Sequence, residues 1–130
     1  MAFDSYSICP CGTGKKIKFC CPELLGELEQ LDRLVEGDQT EAALEQVIRL
    51  LEKHPKKACL LATRTKLELA TKRFNEAAVT SRAFLEAYPD NPLALGHAAV
   101  SAALVDNMQE AANFFDRSRE LVGDEVPDDL

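Results

Sequence analysis

From Pro22 onward, apolar residues recur at helical spacing. Leu24, Leu28, Leu31 and Val35 form one stripe, and Ala43, Val47, Leu50 and Leu51 form the next. Breaks fall at Glu36-Gly37-Asp38, at His54-Pro55, near Lys72-Arg73, at Pro89-Asp90-Asn91-Pro92 and at Asp106-Asn107. The pattern predicts six helices, over 23–36, 40–53, 57–71, 74–88, 92–105 and 108–122. Thr40 is expected to cap the second, Arg73 or Asn75 to open the fourth, and Asn91 to precede Pro92 at the first position of the fifth. Leu and Ala dominate the apolar 46% and Trp is absent, which favours closely packed helices over a β-sandwich. The expected fold class is all-α.

The helices pair up with a fixed period. Pro55 and Pro89 are separated by 34 residues, and so are Ala43, Ala77 and Ala111 in succession. The segment Phe74-Asn75-Glu76-Ala77-Ala78, with Leu85 and Tyr88-Pro89 behind it, is echoed by Met108-Gln109-Glu110-Ala111 with Phe115. This period and pattern resemble the tetratricopeptide repeat, a helix–turn–helix unit. The resemblance implies three repeats, over 24–57, 58–91 and 92–125, followed by an acidic tail at 126–130. The first helices depart from the family, whose aromatic, Gly and Tyr positions hold Leu61, Thr65 and Glu68 in the second repeat and Leu95, Ala99 and Ala102 in the third. A plain helical hairpin bundle is the alternative. In a tetratricopeptide stack the inward-facing positions would include Asp32, Val35, Lys66, Leu69, Val100 and Ala103. Such a groove suits an amphipathic helix or an extended peptide.

Residues 1–22 have a different character. They read Cys9-Pro10-Cys11-Gly12-Thr13-Gly14-Lys15-Lys16-Ile17-Lys18-Phe19-Cys20-Cys21-Pro22, with four of the five cysteines of the chain in one short stretch. Adjacent cysteines rarely pair with each other, and no secretory leader is evident in Met1–Ser7, so metal ligation by Cys9, Cys11, Cys20 and Cys21 is the reading of the spacing. Structural zinc takes four such thiolates in a tetrahedron. Gly12 and Gly14 are expected at positive φ, Pro10 to stiffen the first ligand pair, and Ile17 with Phe19 to form an apolar patch against the site. Thiols that are coincidental or redox-active are the alternative. Cys59 is expected to be a small core residue outside the ligand set. The string Gly12-Thr13-Gly14-Lys15-Lys16 is not a phosphate loop, because positions 9 and 16 lack the required Gly and hydroxyl.

The string resembles the SEC-C motif, the zinc module at the C-terminus of the SecA translocase, with Thr13 and Ile17 where that family has Ser and Tyr. The resemblance implies one structural zinc, the same four cysteines as ligands, and a knuckle that docks a protein through lysines. Because Glu23 follows Pro22 with no flexible linker, the knuckle is expected to lie close to the first helix.

Charge separates the two parts. Residues 1–22 hold Lys15, Lys16 and Lys18 against Asp4, a net +2, so the remainder carries −9 of a total of −7. An acidic body argues against general nucleic-acid binding, even with Lys53, Lys56 and Lys57 clustered. His54 and His97 are the only histidines, and no nucleophile–base pair, paired carboxylates or glycine-rich nucleotide loop accompanies them. No apolar run spans a bilayer. The expectation is therefore a cytoplasmic, non-enzymatic adaptor. Lys15, Lys16, Lys18 and Lys66 are its candidate partner-binding residues, and a protein or peptide is the partner. A second copy of the chain on the last helix, a fragment of a larger enzyme or ATPase, and a weak nucleic-acid binder are the competing readings. A knuckle that merely staples the N-terminus is another.

Overall fold

The computed structural model describes residues 6–122, with side chains to 120. The expected tail at 126–130 and the end of the third predicted repeat lie outside the described residues. The described chain is all-α: two short 3₁₀ turns (Ile17–Phe19 and Pro22–Leu24) precede six helices. These are α1 (Leu25–Glu36), α2 (Thr40–Lys53), α3 (Ala58–Ala70), α4 (Phe74–Ala87), α5 (Pro92–Leu104) and α6 (Met108–Val122). Each helix packs on the next in the chain, and α3 also packs on α5. No helix among the described residues is long and apolar enough to cross a membrane.

The backbone repeats with the period seen in the sequence. Asp38, Lys72 and Asp106 all adopt left-handed backbone, at φ 61°, 62° and 64°. The next N–H in each case reaches back five residues: Gln39 to the Leu34 carbonyl, Arg73 to Glu68 and Asn107 to Ala102, each at 2.8 Å. This closure satisfies carbonyls that a helix end otherwise leaves unpaired. Ala43, Ala77 and Ala111 then accept the same role at the start of α2, α4 and α6, and are 0%, 0% and 2% exposed. A larger side chain there would hold neighbouring helices apart. The same logic makes α5 rich in buried small residues: Ala94, Ala98, Ala99 and Ala102 let it sit against α3, α4 and α6 at once.

Two helix starts need comment. Thr40 is the first helical residue rather than the cap; Gln39 precedes it and makes no side-chain capping bond. Asn91 caps α5 as expected, its Oδ1 accepting from Leu93 N–H at 2.9 Å and Ala94 N–H at 3.2 Å. Ties across the 34-residue period join the hairpins. Arg73 pairs with Glu41 at 2.5 Å, Arg82 with Glu110 at 2.6 Å, and the Tyr88 hydroxyl donates to the Lys56 carbonyl.

Candidate metal centre and groove

The knuckle folds as a tight loop over its own backbone. Cys9 N–H donates to the Lys15 carbonyl at 2.9 Å and Ile17 N–H to the Ser7 carbonyl at 2.8 Å. Gly12 and Gly14 take up φ of +85° and +80°, as their spacing predicts. Ile17 is fully buried beneath the loop, but Phe19 is 68% exposed. The expected apolar patch therefore consists of Ile17 alone. Phe19 points away from Ile17 because a 3₁₀ turn, with three residues per turn, sets its three side chains about 120° apart.

The loop brings the predicted thiols together. The sulfurs of Cys9, Cys20 and Cys21 all lie within 4.8 Å of one another, close enough to bind a metal ion. Cys11 Sγ stands 3.1 Å from Cys20 Sγ, at the edge of this group of three. Ligands at about 2.3 Å from a tetrahedral ion sit about 3.8 Å apart, so Cys9, Cys20 and Cys21 suit such an ion in size and in chemistry. Cys9, Cys11 and Cys21 are 2%, 0% and 2% exposed, so bulk water does not compete strongly at the site.

Cys59 is a core residue of α3, as the sequence predicts. It is fully buried, in the same core cluster as Cys9, Cys11 and Cys21. The hydrogen bond with Cys21, and then burial, hold the Cys9 thiol above its ordinary range. The bond with Cys59 and burial do the same to Cys21. At Cys59 the bond with Cys21 works downward, but the bond with Cys9 together with burial pushes the thiol up to about 12. At Cys20 burial works upward, and hydrogen bonds from Cys11, Cys9, Cys21 and Thr13 outweigh it, so this thiol is lowered. Cys20 thus ionises more readily than Cys9 and Cys21, which hold their protons until a cation offsets their charge.

The knuckle is held against the stack at three places. Asn91 Nδ2 donates to the Cys11 carbonyl at 2.7 Å, in a buried position. Gly12 backs directly onto Leu93, where an added Cβ would come within 2.4 Å of the Leu93 Cβ. Lys57 forms an ion pair with Glu23, which holds the Glu23 carboxyl below its usual range and the Lys57 ammonium above its own. The expected closeness to α1 is seen too, since Pro22–Leu24 runs straight into that helix.

The candidate partner-binding lysines fall on two surfaces. Lys15, Lys16 and Lys18 are exposed on the knuckle. Lys16 and Lys18 stand over the Tyr6 ring at 5.5 and 4.9 Å, and Lys18 is also 4.9 Å from the Phe19 ring centre. Tyr6, Ile8 and Phe19 are 64%, 61% and 68% exposed, so this face is both cationic and apolar. Lys66 lies elsewhere, on a cavity of about 360 Å³ between α1, α3 and α5. Leu28, Leu31, Val35 and Leu67 supply its apolar wall, Asp32 and His97 its polar groups, and Pro10 of the knuckle one end. Of the expected inward positions, Asp32, Val35 and Lys66 line it, whereas Leu69, Val100 and Ala103 do not. His97 meets the Phe84 ring edge-on at 6.2 Å, and burial, followed by the Lys66 charge, holds its imidazole below the ordinary value. His54 is an exposed residue at the C-terminal end of α2. Comparison with protein-family models, curated proteins and solved structures finds no match for this chain.

Proposed function

We propose that the chain is a zinc-binding interaction protein, built from a SEC-C-like knuckle and a tetratricopeptide-like array of three helical hairpins. Cys9, Cys11, Cys20 and Cys21 hold one structural zinc. The ion neutralises thiolates that burial otherwise keeps protonated, and supplies folding energy that so short a loop cannot obtain from apolar burial. Four protein ligands leave no position for substrate, so the zinc is structural. The 34-residue recurrence of the left-handed turns and of the buried alanines supports the repeat reading.

The observation that carries the adaptor reading is the shared groove. Its wall comes from α1, α3 and α5, and Pro10 of the knuckle closes one end. One partner therefore meets both modules. An amphipathic peptide fits it, with apolar side chains against Leu31, Val35 and Leu67 and an acidic group near Lys66. The knuckle lysines Lys15, Lys16 and Lys18, with exposed Tyr6 and Phe19, form a second face for acidic protein surface. Selection from a random peptide library tests the groove. Recovered peptides should bind at micromolar affinity, carry an acidic residue, and weaken at least about tenfold with Val35→Glu or Lys66→Glu. Failure to recover binders, or binders indifferent to both substitutions, contradicts the reading.

A further inference from the structure

The cavity between α1, α3 and α5 takes its polar groups from Asp32, Thr40, Thr63, Lys66 and His97. The Thr63 hydroxyl is already committed, donating to the Cys59 carbonyl at 2.7 Å. Lys66 is exposed to water. His97 differs from both: its Nδ1 is buried and has no hydrogen-bond partner among the described residues. A buried polar atom without a partner is costly, and an occupant that bonds the ring removes that cost.

The surroundings of the ring decide which occupant suits it. The charged residues on the cavity wall are Asp32 from α1 and Lys66 from α3. From α4 the Phe84 ring meets the imidazole edge-on at 6.2 Å. Neither α4 nor α6, the other helices packed on α5, places a residue on the wall, and the knuckle adds only uncharged Pro10. No carboxylate on the α3 and α5 sides therefore holds a proton on the imidazole, and burial with the nearby Lys66 charge favours its neutral form. A ligand carboxylate set against Lys66 and His97 reverses that balance, because it pairs with the ammonium and gives a protonated ring an acceptor. Asp32 disfavours the same group on the α1 side, which leaves the carboxylate one side to occupy.

Resting on the peptide-groove reading above, we propose that His97 is a second contact for the acidic group of the peptide, beside Lys66, and that the groove takes up one proton with its ligand. The proton comes from solvent and stays on the imidazole. Binding then tightens as pH falls. The complex holds more protons than its separated parts wherever the pH lies between the free and the bound values of His97, so the gain begins below the bound value and is complete below the free one. Side-chain carboxyls themselves protonate near pH 4, so the effect is read above about pH 5.

The test titrates full-length wild type and His97→Gln by calorimetry from about pH 7.5 to about 5.5, with circular dichroism confirming the fold at each pH. The probe is the tightest peptide recovered by the library selection, beside the same peptide with its acidic residue changed to the amide. Wild type should bind the acidic peptide about tenfold tighter at the lower pH, the equivalent of one unit in the His97 value. His97→Gln should bind it with a flat profile, and the amide peptide should bind weakly and without pH dependence. Proton NMR of His54→Gln, in which His97 is the only histidine, reads the same event without altering the groove, and the His97 midpoint should rise when peptide saturates the protein. A flat wild-type profile, an equal slope in His97→Gln or with the amide peptide, or a midpoint that stays in place overturns the inference. Peptides that depend on Val35 and Lys66 yet bind independently of pH overturn this inference alone, whereas peptides indifferent to both residues overturn the groove reading and this inference with it.

Discussion

Asn91 joins the knuckle to the helical stack with two ends of one amide: its Oδ1 caps α5 through Leu93 and Ala94, and its Nδ2 donates to the Cys11 carbonyl at 2.7 Å. The side chain is 8% exposed, so neither end has water to fall back on. Asn91→Ala removes the cap and orphans the buried Cys11 carbonyl, a loss of about 2 kcal/mol. Asn91→Asp keeps the capping oxygen but has no donor for Cys11. Thermal unfolding with zinc bound should rank wild type above both variants. Release of zinc to a chelator should quicken in both, because both lose the bond to Cys11. Variants that melt lower but release zinc at the wild-type rate would show that the latch does not reach the metal.

The two glycines of the loop separate backbone strain from close approach. Gly14 sits at φ +80° with nothing within 4 Å of an added Cβ. Gly14→Ala should therefore lose only the left-handed penalty, about 1 kcal/mol. Gly12 has the same strain at φ +85°, and in addition its Cβ would overlap Leu93. Gly12→Ala should lose about 2–4 kcal/mol, since α5 or the knuckle must move. Chemical denaturation of both variants checks the order, and equal losses would contradict the docked geometry.

Glu68 lies wholly buried in α3, with Oε2 3.3 Å from Arg64 Nε and Oε1 without a hydrogen-bond partner. A buried carboxylate satisfied on one oxygen is costly, and an apolar side chain of similar length avoids that penalty. Glu68→Met should raise stability by about 1–3 kcal/mol. A clear loss in denaturant unfolding would mean that the carboxylate has a partner essential to the fold.

His97 gives a pH dependence with a definite sign. Its imidazole is held below the ordinary 6.5 by burial and by Lys66. The folded state thus disfavours the protonated form more than the unfolded state does. The stability this confers is present above about 6.5 and is lost as pH falls from there towards the lower folded value. Between pH 7 and 5 the wild type should lose more stability than His97→Gln. Parallel pH profiles would place His97 in an environment as polar as water.

Much of this was readable in the residues. The spacing of leucines and alanines placed every helix to within two residues at its start, and the recurrence of Ala43, Ala77 and Ala111 matched a recurrence in backbone angles. The caps were less readable: residues 23 and 24, expected in the first helix, belong to a 3₁₀ turn, and Thr40, expected as a cap, is already inside α2. The gathering of Cys9, Cys20 and Cys21 was readable from their spacing, because donors drawn from one short loop end close together. Cys59 was readable as a core residue from its place in an apolar stretch of α3. Asn91 was readable as a cap from Pro92 behind it, but its bond to Cys11 is a product of tertiary packing alone. Phe19 misled because apolar character was taken for burial, and a tight turn exposes what it cannot enclose.

We propose that the N-terminal thiols hold one zinc ion on a stack that folds independently of it. Metal content by mass spectrometry, on protein purified without added metal and beside a Cys20→Ser/Cys21→Ser double variant, tests it most directly. One zinc per wild-type chain, absent from the double variant while its helical circular dichroism is retained, is the predicted result. Wild-type protein that carries no zinc, and takes none up when it is supplied, would contradict it.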